Sequence, residues 1–178
     1  MKGNPLLIGS DTKEMLVGYC DRCPVLPLAD TAFTFPIGVL PTSSAMLSYI
    51  ARAVDISFAQ HSGTNGSTVS LIHGSMVGKK LFSASIYPSR SITLWKRPSW
   101  EVLFDYIKAN LDLLLRPGHA LGTWFNDYEC IHCLDLVVLV RNRDAAMEMG
   151  RHSDQLAIFD LEGSREISIQ CPTRESTA

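Results

Sequence analysis

The segment RPSWEVLFDYIKANLDLLLRPG, residues 97–118, is bracketed on both sides by stretches in which apolar and other residues alternate. No other feature constrains the fold as much. Within the segment Leu103, Ile107, Leu111 and Leu114 recur at helical spacing, flanked by Trp100 and Phe104, so one stripe must be buried. Ser99 is placed to cap it, Glu101 sits in its first turn, and Arg116 followed by Pro117-Gly118 ends it. The spacing predicts a helix over residues 99–115.

On the N-terminal side, Leu81, Ser83, Ser85 and Tyr87 alternate with Phe82, Ala84 and Ile86, Pro88-Ser89-Arg90 follows, and Ile92 and Leu94 alternate with Thr93 and Trp95. This predicts a hairpin over residues 79–95. On the C-terminal side ALGTWFND and IHCLDLVVLV predict a second hairpin, joined through Asn126 to Glu129. A short helix starting at Asn142 or Asp144 carries Ala145, Ala146 and Met149, and QLAIFDL with REISI forms a third hairpin. The predicted order, ββαββαββ, does not alternate single strands with helices and so demands no parallel crossovers. It predicts an α+β fold, a largely antiparallel sheet with two helices on one face. Residues 131–140 are nearly all apolar, which predicts a central strand.

Residues 1–77 are less regular. Pro24, Pro27, Pro36 and Pro41 predict an extended path. TSSAMLSYIARAVD predicts one helix with Met46, Ile50 and Ala53 on a face, and AQHSGTNGSTVS reads as a flexible loop. The expected organisation is an irregular extension over 1–77 packed on the same domain, an α+β core over 78–170 and a tail over 171–178. A chain of 178 residues suits one such domain. No apolar run approaches the roughly 20 residues of a membrane span, and Leu6 to Ile8 is too short for a signal-peptide core. The expectation is a soluble cytoplasmic protein with no membrane partner, its five cysteines mostly free thiols.

Two Cys-x-x-Cys pairs, Cys20/Cys23 and Cys130/Cys133, are the most metal-like feature. A zinc knuckle needs a turn that aims both thiolates at one ion, commonly with small residues after the second cysteine. Cys133 instead runs directly into Leu134 to Val140, where it shares a strand face with Ile131, Asp135 and Val137. The two pairs also lie over a hundred residues apart. No cofactor is the expectation, with a structural zinc on Cys20, Cys23, Cys130 and Cys133 as the alternative. Asp127, Glu129 and Asp135 with His132 could serve an ion or acid–base chemistry, yet Glu129 and His132 would point to opposite faces of a strand. Neither Gly-x-Ser-x-Gly nor a phosphate-binding Gly-x4-Gly-Lys-Ser/Thr occurs, so no catalytic residue is assigned and the reading leans away from an enzyme.

The net charge of −2 hides an uneven distribution. Residues 56–100 contain Lys79, Lys80, Arg90, Lys96 and Arg97 and no acid, whereas residues 101–178 hold seven basic against thirteen acidic side chains. Lys79, Lys80, Arg90, Lys96 and Arg97, interleaved with rings such as Trp95, are the mixture of cations and stacking surfaces used on nucleic acids or acidic proteins. The leading expectation is a non-catalytic binding or regulatory module acting through protein–protein contacts. Two alternatives stay open: a nucleic-acid-binding protein using the basic 79–97 hairpin, and a zinc-binding or Cys/His-dependent hydrolase.

The phrases FSASIYPSRS, IKANLDLLLRPGHALGTWF, LDLVVLV and DQLAIFDLEGSREI, spread over residues 78–169, resemble a group of small bacterial proteins, some of them encoded by phages or prophages. The resemblance covers about half the chain and implies a fold and an origin, but no catalytic residues. On that basis an inhibitor carried on a mobile element is expected.

Overall fold

The computed structural model describes residues 43–169. Cys20, Cys23, the proline-containing stretch and the tail lie outside the described residues. The elements in chain order are α1 (Ser43–Thr64), β1 (Gly66–Ser70), β2 (Gly74–Ser75), β3 (Phe82–Ser85), a 3-10 turn at Pro88–Arg90, β4 (Ile92–Leu94), α2 (Trp100–Ala109), α3 (Leu111–Leu114), β5 (His119–Asn126), β6 (Ile131–Val140), α4 (Arg143–His152), β7 (Ala157–Asp160) and β8 (Arg165–Ser168). The fold is α+β. All strand pairs are antiparallel, in the order β2-β1-β5-β6-β3-β7-β8, with β4 also on β6. The apolar strand β6 is central, as its composition requires, between β5 on one side and β3 and β4 on the other.

The alternating residues of β6 divide the sheet into two faces. Leu134 and Leu136 join Val69 and Leu121 under Ile50, Ala53 and Val54 of α1, Leu103 and Ile107 of α2, and Leu113 and Leu114 of α3. Ala84, which is paired with Val138 and so lies on that same face, packs with Ala146 and Met149 of α4. Among the described residues the other face is covered at one end only. There Met76, Leu81 and Leu161 close over Ala120, Val137 and Leu139.

Local signals hold at the helix ends. The Ser99 hydroxyl accepts from the Val102 amide, and Asn142 Oδ1 accepts from the Asp144 and Ala145 amides at 2.8 and 3.1 Å. The hairpins β5/β6 and β7/β8 form as their alternation predicts.

Three expectations are corrected. Residues 79–95 do not fold into a hairpin: β3 and β4 lie in line along the same edge of β6, Phe82 opposite Val140 and Leu94 opposite His132. The six residues 86–91 stand opposite only Asp135 and Leu136, a bulge in which Pro88 has no N–H to give to the ladder. The helix over 99–115 is broken at Asn110 (φ −120°, ψ 19°), whose side chain donates to the Tyr106 carbonyl at 2.8 Å and accepts from Arg90 at 3.1 Å. The break turns Leu113 into the core and leaves Leu111 only half-buried.

The third correction concerns AQHSGTNGSTVS, which is helix up to Thr64 and strand from Gly66. Thr64 Oγ1 donates to the Gln60 carbonyl, and Asn65 adopts φ +60° to end the helix. Through β1 and β2, residues 66–75 belong to the same sheet as β5 and β6.

Candidate functional site

Among the described residues, the face of the sheet away from the helices is a curled trough. Its lining runs from Gly66 and Thr68 of β1 to Phe159 of β7 and Glu166 of β8, and it encloses about 670 Å³. Alternation explains the chemistry of its walls: Ser83 and Ser85 are the residues of β3 that oppose Leu139 and Val137, while Phe82 and Ala84 face the helices. Core-facing positions would be apolar. Here Ser83, Ser85 and Thr68 are buried at 6%, 7% and 6% exposure.

Asp135 forms the floor, 9% exposed. Its partner in register on β5 is Gly122, and a Cβ there would stand 2.8 Å from Val137 Cγ1, so glycine keeps this spot open. The bulge at 86–91 removes ladder partners opposite Asp135 and brings in Ser91. The carboxylate accepts from the side chains of Ser85 (Oγ at 3.4 Å), Ser91 and Trp124. Burial pushes the Asp135 carboxyl above its usual range, and these three donors only partly offset it. Among the described residues Asp135 has no ion-pair partner.

Chain comparisons do not identify this site. Neither a family model, a curated protein nor a solved structure matches the chain.

Of the described residues singled out from sequence, Cys133, Asp127 and Asp135 line the cavity, whereas Cys130, Glu129, His132, Trp95 and the basic residues do not. Cys133 lines the cavity, and burial, followed by the charges of Asp135 and Glu129, pushes its thiol up to about 11, so it is protonated at neutral pH. Cys130 is exposed in the β5–β6 turn at φ +55°, its thiol donating to the Asp127 carbonyl at 3.6 Å. Among the described residues no group of three or more His, Cys, Asp or Glu is placed to hold a metal.

The basic residues are spread out. Lys79 and Lys80 precede β3, and Lys96 and Arg97 follow β4, at opposite ends of the stretch His132–Val140 of β6, roughly 26 Å at strand rise. Lys80 stands 3.9 Å from Glu162, and Arg90 is 3.4 Å from Asp112. Trp95 is 84% exposed, next to Lys96 and Arg97, and Tyr128, 96% exposed, occupies the β5–β6 turn at the same end of the sheet.

A second polar cluster lies under α1, on the helix-covered face. Ser57, Ser67, Thr123, His61 and His132 form one chain of hydrogen bonds, with steps of 2.7, 2.9, 3.0 and 2.8 Å. His61 is 1% exposed; burial, then the charges of His132 and Arg97, push its pKa down to about 4. Neutral imidazoles let each interior group of the chain, Ser67, Thr123 and His61, donate once and accept once. Sequence reasoning missed both clusters. The available signals were Ser83 and Ser85, small polar residues at alternate positions of one strand, and Asp135, an acid within the apolar run of another.

Proposed function

We propose that the protein is a non-catalytic binding module that takes its ligand into the trough of the curled sheet. The observation that carries this reading is Asp135, a buried carboxylate with no counter-charge among the described residues, at the floor of a cavity whose wall mixes Ser, Thr and Gly with apolar and aromatic side chains. A side chain that needs a partner to offset its desolvation is costly for folding alone, and a ligand can supply that partner. The protonated Cys133 supports binding over nucleophilic chemistry.

A fragment library screened by thermal shift tests the reading. Ligands present at about a hundred times their Kd should stabilise the wild type by about 2.7 kcal/mol. They should lose that effect with Thr93→Trp, which places a bulky ring on the cavity wall at an exposed β4 position. A library whose hits all survive Thr93→Trp would refute the reading.

A protein partner is the second reading, favoured by Trp95 and Tyr128, two nearly fully exposed rings at one end of the sheet. Aromatic side chains of this kind dominate binding energy at interfaces. Affinity capture from the native host should recover a partner that the Trp95→Ala/Tyr128→Ala double variant loses at least tenfold. Equal recovery by both proteins would count against it. The regulator or inhibitor role on a mobile element, expected from the phrase resemblance, belongs to this second reading.

A further inference from the structure

The trough has a one-sided electrostatic character. Its lining includes Asp135 at the floor and the exposed Asp127, Asp154 and Glu166, and no Lys, Arg or His among the described residues. A carboxylate offers about four acceptor positions, of which Ser85, Ser91 and Trp124 use three. One remains. The group left to answer at Asp135 is an acceptor, so the missing chemistry is a donor, and a charged one. Trp124 and Phe159 add ring surface of the kind that holds an organic cation.

Resting on the binding reading above, we infer that the trough is a site for an organic ammonium compound with an apolar or aromatic body, its cation seated on Asp135. A metal ion would need further ligands that the lining does not bring together. An anionic ligand would meet four carboxylates and no counter-charge among the described residues.

Three compounds with one ring system and different head groups test this with the full chain: tryptamine, indole-3-ethanol and indole-3-acetate, titrated by calorimetry. The indole N–H resonance of Trp124, identified by its loss in Trp124→Phe, reports whether a compound reaches Asp135. Tryptamine should bind at least tenfold more tightly than indole-3-ethanol and shift that resonance, and indole-3-acetate should be the weakest. Asp135→Asn, which removes the charge while keeping one acceptor oxygen, should bring amine and alcohol within about twofold of each other. Equal binding of amine and alcohol by the wild type overturns the inference without any variant. If that equal binding is also blocked by Thr93→Trp, the cavity reading stands while the cation does not. Failure of tryptamine to bind or to shift the Trp124 resonance overturns the inference as well, and the fragment screen then decides the cavity reading separately.

Discussion

Ile107→Ala should lower the unfolding free energy by about 2 to 5 kcal/mol, whereas Lys108→Ala, one residue along, should cost no more than about 0.5 kcal/mol. Ile107 is fully buried in the cluster that joins α1 and α2 to Leu134 and Leu136. Truncating it removes apolar burial and leaves a cavity among the side chains packed around it. Lys108 is exposed, with its ammonium 5.4 Å from the centre of the Phe104 ring. Urea unfolding of both variants measures the difference. Equal losses would mean that α2 presents another face to the sheet.

The second large effect is on acid stability. His61 has a folded-state pKa of about 4 against 6.5 for the unconstrained side chain, so the folded protein holds it neutral where the unfolded chain takes up a proton. Its contribution is fully present above pH 6.5 and is lost as pH falls from 6.5 towards 4, by up to about 3 kcal/mol in total. His132, also shifted down by burial and by Arg97, adds in the same direction. Asp135 acts in the opposite sense, because its carboxyl is raised in the folded state and protonation there relieves an unfavourable buried charge. Comparison with His61→Gln separates these contributions, since Asp135 is common to both proteins. Denaturation midpoints of the wild type should fall across that interval, and those of His61→Gln should fall much less. Parallel slopes would show that His61 is not the group that titrates.

The ring pair also shows why part of the fold was hidden in the sequence. His61 and Ser67 lie in the stretch AQHSGTNGSTVS, which reads as a loop, and Ser57 lies just before it. Their burial depends on Thr123 and His132, which stand 62 and 71 residues from His61. Local composition cannot report a hydrogen-bond partner that distant.

The candidate site was hidden for a related reason. Asp135 was visible as one acid in a group with Asp127 and Glu129, but nothing in its neighbourhood marks it as a floor. That role comes from Gly122 across β5, from the bulge at 86–91 across the other edge of β6, and from the curl that raises β1 and β7 around it.

What the amino-acid sequence determined by itself is what nearest neighbours decide. The Ser99 and Asn142 caps, the stripe through Leu103 and Ile107, the β5/β6 and β7/β8 hairpins, and the central place of Ile131–Val140 all follow from periodicity and from hydrogen bonds a few residues long. Only the tertiary structure decided that β3 and β4 share an edge of β6 instead of pairing with each other, and that Asn110 breaks the helix by holding Tyr106 and Arg90 at once. It also set Ser83, Ser85 and Asp135 facing one uncovered trough. Strand pairing is chosen by total burial over the whole sheet, and alternation along one strand says which residues share a face but not what that face meets.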